Sequence, residues 1–158
     1  MRVDPASASP QIPDMAKKRK RHPRVENLIR TAEISAFHVY LSAGIKRADD
    51  EQPERDGRAT LEFRGTLNEP VKGQSAVRFS VHKAKDDNFG TKRPAVVGYV
   101  FSVRPDVHVY VQLQPELFDY LFRAAMAGWV RHAHLSMTPP RYGSADVPSI
   151  SFSNEPIE

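Results

Sequence analysis

The stretch VGYVFSVRPDVHVYVQL, residues 97–113, decides the fold class. From residue 107 onward apolar side chains alternate with polar or aromatic ones, which is the period of a strand with one buried face. The part before residue 104 is apolar on both faces, as in a central strand. Arg104-Pro105-Asp106 lies between the two parts and is typical of a tight turn, because proline presets the φ angle of the second turn position. The stretch therefore predicts a β-hairpin.

The same alternation occurs earlier in the chain. Residues 59–67 and residues 75–83 each place apolar side chains on one face and polar side chains on the other. Pro70 and Gly73 lie between these two runs, and both residue types are common in turns. The two runs are therefore predicted to form another hairpin.

The region upstream is harder to assign from its pattern. Residues 25–41 contain both a helical spacing and a strand-like alternation of apolar side chains, and we favour a strand from Ile34 to Ser42. Residues 45–58 are rich in Asp and Glu and contain Pro53. This composition predicts a polar loop.

The period changes at Pro115, after which apolar side chains recur at helical spacing. Proline suits the first turn of a helix, and Gly128 is placed to end it. A helix over residues 115–127 is therefore predicted, with strands over residues 129–138 and 147–153 after it. Three side chains predicted to lie in the core, because each is on the apolar face of its element, are Phe79, Phe101 and Leu121.

These elements predict a mainly β protein. We expect a single small barrel or sandwich of about six to seven strands with one α-helix, formed by residues 25–158 and preceded by a disordered basic tail, residues 1–24. From residue 75 the order is strand, strand, strand, helix, strand, strand. That order resembles, in topology alone, the barrel that binds oligonucleotides and oligosaccharides. A β-sandwich with one connecting helix explains the order about as well.

The positive charge of the chain lies at its N-terminal end. The net charge is +4, yet residues 1–24 hold seven Lys and Arg against two Asp, which leaves the rest at −1. A dense basic run of this kind neutralises phosphates, directs a protein to the nucleus or solubilises it, and the sequence does not decide among these. The candidate phosphate contacts are Lys17, Lys18, Arg19, Lys20, Arg21 and Arg24.

Several classes of site are absent from the sequence. It contains no cysteine, hence no disulfide and no thiolate ligand or nucleophile. It also lacks a glycine-rich phosphate loop, a Gly-x-Ser-x-Gly elbow and a His-Glu-x-x-His motif. No run of about 18 apolar residues or secretory signal is present, so we expect a soluble cytoplasmic protein, or a nuclear one if the basic run is a localisation signal. The sequence therefore leans against an enzyme, and we predict no catalytic residue, cofactor or membrane partner.

A pair of histidines is the strongest candidate for a metal site. His132 and His134 are one residue apart on a predicted strand, so both project from the same face. A metal site needs at least a third ligand, and the next acidic residue is Asp146. A solvent-facing pair is the favoured interpretation and no metal is predicted, while a metal-dependent β-barrel enzyme remains a third hypothesis for the whole chain.

The predicted polar face of two strands suggests a binding surface. The outward side chains of this face are Arg78, His82, His108, Tyr110 and Gln112. Of these, Arg78, His108 and Tyr110 are predicted to contact nucleic acid. A polar sheet face that carries an aromatic ring is the kind that stacks bases, although a solvated face has similar composition. The leading hypothesis is therefore a non-catalytic interaction module associated with nucleic acid.

A different class of function fits the same pattern. A protein-assembly or scaffold module would use a sheet edge or the helix at residues 115–127, and its basic tail would contact an acidic protein surface. The sequence does not indicate an oligomeric state.

Overall fold

A computed structural model describes residues 26–46, 54–84 and 96–157. These residues form eight strands and one helix. The elements are β1 (Leu28–Lys46), β2 (Glu54–Val71), β3 (Gln74–Lys83), β4 (Gly98–Ser102), β5 (Val107–Leu113), α1 (Pro115–Met126), β6 (His132–Met137), β7 (Ala145–Val147) and β8 (Ser149–Ser153).

The eight strands make one sheet that nearly closes into a barrel. Its order is β7-β4-β5-β3-β2-β1-β6-β8, and β3 and β5 are its parallel pair. β7 and β8 are separated only by Pro148, and they pair with β4 and β6 at opposite ends of the sheet. The amide of Thr138 donates to the carbonyl oxygen of Asp146 at 2.9 Å, which joins the end of β6 to β7. The bent β7–β8 segment thus brings the two ends of the sheet together.

The sequence predicted much of this architecture. The mainly β class, both hairpins and the helix are confirmed. The strand count is eight rather than six to seven, because Pro148 divides the predicted last strand in two. Apart from this extra strand, the order of elements from residue 75 is as predicted, but β1 and β2 lie between β3 and β6 in the sheet. The architecture is therefore not the five-stranded barrel that this order resembles.

The region upstream of β3 contains more strand than expected. β1 starts at Leu28, so the ambiguous region is a strand from that residue onward. β1 and β2 also extend into the interval 45–58, which was predicted as a polar loop. The pairing of β2 with β3 ends where Thr60 pairs with His82. From there toward Glu54 and Lys46, β1 and β2 continue as a two-stranded ribbon. The predicted tail, residues 1–24, lies outside the described residues.

The core lies inside the curved sheet and under α1. Phe63, Phe79 and Leu135 are completely buried there. The alternating strands each contribute one face, and the amphipathic helix adds its own apolar side chains. The buried residues of the helix are Phe118, Leu121 and Ala125.

The prediction that Phe101 is a core residue was wrong. Its side chain is 49% exposed, whereas its neighbour Val100 is completely buried. β4 is apolar on both faces, so its alternation alone does not choose the inward one. Gly98 is also buried, and a Cβ atom there would collide with the carbonyl oxygen of Tyr110. Gly98 and Val100 therefore share the inward face of β4. The absence of a side chain at Gly98 lets β4 and β5 approach closely in this register.

None of the helices in the described part of the chain is long and apolar enough to cross a lipid bilayer.

Candidate nucleic-acid interface

The outward faces of β3, β4 and β5 carry the strongest concentration of rings in the described structure. Because Phe79 and Val109 point into the core, the residues between the buried positions of these strands point outward. The parallel register places Arg78 beside His108 and Ser80 beside Tyr110. The structure thus brings together the three predicted contacts of the folded region, Arg78, His108 and Tyr110.

Five rings form a continuous cluster on this surface, which we call the aromatic platform: His82, Tyr99, Phe101, His108 and Tyr110. The ring of Tyr110 stacks on that of His82 with centroids 4.6 Å apart, and on that of Tyr99 with centroids 5.0 Å apart. Phe101 lies 4.0 Å from His108 between ring centroids. The platform therefore spans three adjacent strands.

The exposed area of the platform belongs mainly to β4. Tyr99 is 42% exposed and Phe101 is 49% exposed, whereas the other three rings are partly buried. Exposed aromatic rings held by neighbouring rings lose little conformational freedom when a ligand stacks on them. Tyr99 and Phe101 therefore provide most of the exposed area of the platform, and the rings of Tyr110 and His108 pack against them.

Hydrogen bonds fix the two histidines of the platform. The hydroxyl of Ser80 lies 2.7 Å from Nε2 of His108, and the hydroxyl of Thr60 lies 3.2 Å from Nδ1 of His82. Both hydroxyls belong to strands next to the ring that they contact. These bonds set the orientation of each imidazole and hence of the tyrosine and phenylalanine packed against it.

The surroundings of His82, His108 and Tyr110 favour the neutral form of each ring. Burial lowers the pKa of His82, and the positive charge of Arg58 lowers it further. Burial and the nearby Arg78 likewise lower the pKa of His108. Burial raises the pKa of Tyr110. Near neutral pH these three rings are therefore uncharged, which suits stacking on an uncharged partner.

The lowered pKa values predict how stability depends on pH. The folded chain binds protons at His82 and His108 less readily than the unfolded chain, whose histidines titrate near 6.5. Their contribution to stability is therefore complete above this value and is lost as the pH falls through it toward the lower folded pKa values. We expect the melting temperature to fall between about pH 7.5 and about pH 5.5, as measured by circular dichroism. The double variant H82Q/H108Q should show a smaller fall than the parent chain, and equal falls would contradict the assignment.

Ion pairs neutralise two of the arginines around the platform. Arg78 pairs with Asp106 at 3.3 Å, and Arg64 pairs with Glu62 at 2.7 Å. The hydrogen bond and the charge of Glu62 raise the pKa of Arg64. The outward face consequently has polar and aromatic character rather than a strong positive field.

A cavity of about 670 Å³ lies where the platform meets the β1–β2 ribbon. His82 and Tyr110 line it from the platform, and Leu41, Gly57 and Arg58 line it from the ribbon. Arg58 brings a positive charge to this end of the surface, close enough to His82 to lower its pKa. The strand alternation gave no sign of this cavity, because it depends on the extension of β1 and β2 past β3.

Comparison with known proteins identified no relative of this chain. No protein-family model matches the sequence, and no curated protein or solved structure is significantly similar to it. Function is therefore inferred from the geometry of the surface itself.

The sequence predicted part of the composition of this surface. The alternation of β3 and β5 was sufficient to place Arg78, His108 and Tyr110 on an outward face. Tyr99 and Phe101 were missed because both were assigned to the apolar face of a central strand. The basic residues 17–24 lie outside the described part of the chain, so their position relative to the platform is not described.

The histidine pair on β6 lies apart from the platform. His132 and His134 share one face, with Ala133 and Leu135 buried on the other. Nδ1 of His134 lies 3.4 Å from the hydroxyl of Thr31. The described residues contain no group of three or more histidine, aspartate or glutamate side chains that could hold a metal ion.

Proposed function

We propose that the chain is a non-catalytic module that binds single-stranded nucleic acid, with unpaired bases stacked on the aromatic platform. The observation that supports this proposal is the exposure of Tyr99 and Phe101 on a row of rings that crosses three strands. Stacking on aromatic side chains is the usual way in which proteins bind unpaired bases.

The exposed rings favour single strands over duplexes. In a duplex the faces of the bases are covered by their neighbours, so a protein ring reaches them only after unstacking. An unpaired strand presents these faces freely. Because every base has a π face, a surface that uses stacking alone tolerates many sequences.

The basic run supplies the complementary contact to phosphates. The outward face has few unpaired charges, so the platform alone gives little long-range attraction for a polyanion. Lysines and arginines on residues 17–24 would provide that attraction without reading the sequence. We therefore assign stacking to the folded surface and most of the salt-dependent affinity to the basic run.

The salt dependence of binding tests this division. Removing the positive charges of the basic run by substitution with glutamine should reduce the slope of log affinity against log salt by about 3.5, if about five of these charges contact phosphates of a single strand. Fluorescence anisotropy with a labelled thymidine oligonucleotide, from about 50 to about 300 mM salt, measures both slopes. The variant carries K17Q, K18Q, R19Q, K20Q, R21Q and R24Q in the full chain.

The platform should keep some affinity in that variant. Residual binding to the single strand at about 50 mM salt, with weaker binding to the matching duplex, is expected from base stacking. If the variant binds neither oligonucleotide, the affinity belongs to the basic run alone. In that case the platform is not a nucleic-acid site.

A further inference from the structure

An apolar groove lies between α1 and β8, away from the aromatic platform. Its volume is about 490 Å³. Leu117 and Leu121 line it from the helix, Ile150 and Phe152 line it from β8, and Trp129 lines it from the segment after the helix. The remaining lining residues are also uncharged: Leu113, Tyr120, Ala124, Val130, Ser151, Ser153 and Asn154.

Large apolar side chains at this groove are exposed. Trp129 is 67% exposed, Tyr120 68% and Leu117 53%. Tryptophan and tyrosine are the residue types most enriched at the energetic centres of protein interfaces. These side chains are grouped along one groove. Covering them with another apolar group would lower the free energy of the system.

The β8 strand provides an edge with hydrogen-bonding capacity. It stands at the end of the sheet order, and among the described residues it pairs with β6 alone. Its sequence, Ser-Ile-Ser-Phe-Ser, contains neither the charged residues nor the proline that commonly protect such edges. Phe152 packs against Phe63 and Phe79 in the core, with ring centroids 5.1 Å and 6.0 Å away. The edge is thus anchored before any partner binds.

We propose that this groove binds an extended, uncharged segment of another protein, which adds to β8 as a further strand. Backbone groups of β8 would bond to the segment, and every second side chain of the segment would enter the groove beside Leu117 and Trp129. The proposal assigns a second surface to the chain, separate from the one proposed for nucleic acid.

The geometry favours an extended segment over a second folded copy. Helix α1 borders the groove opposite β8, so the space along the edge is a slot with two walls rather than an open edge. A single extended strand can contact both walls of such a slot at once. The uncharged lining selects against a charged segment, because a charge buried there would have no partner.

The first test uses a defined probe. A fluorescein-labelled nonapeptide in which serine alternates with leucine and valine should bind the full chain saturably, with a Kd of about 10–100 µM. A peptide of the same composition with its apolar residues contiguous is the control, and it should bind at least about ten times more weakly, because only alternation puts all apolar side chains on one face. Absence of saturable binding by the first peptide up to about 1 mM would overturn the proposal.

Backbone methylation distinguishes strand addition from simple apolar contact. The two edges of a strand use the amides of alternate residues, so N-methyl groups on the even or on the odd positions of the probe block opposite edges. One methylated peptide should lose at least about tenfold in affinity, and the other should stay within about twofold. Equal behaviour of the two peptides would show that β8 does not pair with the probe.

Substitutions locate the binding surface on the protein. W129S and L117S should each weaken peptide binding at least about tenfold. M126S is the matched control, because Met126 is exposed on the same helix but does not line the groove, and its affinity should match that of the parent. Analytical ultracentrifugation of the parent and of L117S identifies the competing occupant. A dimer that L117S dissociates would show that a second copy fills the groove, and would overturn the proposal.

Discussion

Replacement of Phe79 by alanine is expected to lower the free energy of unfolding by about 3–5 kcal/mol. Phe79 lies in the middle of β3, is completely buried, and contacts Phe152 edge to face with centroids 6.0 Å apart. β3 pairs with β2 on one side and with β5 on the other, so neither neighbour can move into the space without breaking sheet hydrogen bonds. Urea denaturation followed by tryptophan fluorescence or circular dichroism measures the loss.

F101A is the matched control for this variant. It removes the same ring, but from a position that is about half exposed, so the loss should be less than about 1 kcal/mol. Its contact with His108 accounts for most of the expected change. If F101A destabilised the chain as much as F79A, the inward face of β4 would be the one that carries Phe101, contrary to the structure.

The double variant Y99A/F101A should weaken binding of single-stranded DNA at least about 30-fold. One stacked base is worth about 1–3 kcal/mol to an aromatic ring, and the double variant removes the two rings that carry most of the exposed area of the platform. The measurement is fluorescence anisotropy with a labelled thymidine oligonucleotide at about 100 mM salt. Both positions are exposed on β4, so the fold should persist, which circular dichroism verifies.

Y120A is the control for the nonspecific effect of removing an exposed aromatic side chain. Tyr120 is more exposed than Tyr99 but lies on α1. Its substitution should leave oligonucleotide affinity within about twofold of the parent and should weaken binding at the α1–β8 groove. Equal losses of DNA affinity in Y120A and Y99A/F101A would exclude the platform as the specific site.

The strands were predictable wherever one face is apolar and the other polar. In β3 and β5 the alternation fixes which residues are buried, because slipping by one residue would move the apolar side chains to solvent. β4 lacks this information, since Tyr99, Val100 and Phe101 are all apolar or aromatic. In its observed register, Gly98 lies in close contact with the backbone of Tyr110, and only the three-dimensional structure shows this contact.

The same limit applies to the candidate site. Arg78, His108 and Tyr110 were accessible from the sequence because each belongs to a strand with clear alternation. The parallel pairing of β3 with β5 was not. This pairing places Ser80 beside Tyr110 and so brings the residues of β3 next to those of β5, whose other neighbour is β4. Long-range pairings of this kind depend on the whole set of strands rather than on any local signal.

The pairing of β1 with β6 has a consequence for how the chain is made. Leu28 pairs with Met137, so the first strand must wait for a partner that the ribosome adds roughly a hundred residues later. At about 5–20 residues per second this delay lasts from about five to about twenty seconds. During that interval β1 can pair with β2, but its other edge stays open to any nascent chain nearby. The yield of folded protein should therefore depend on crowding of nascent chains, and on chaperones that shield them, as well as on the stability of the finished barrel.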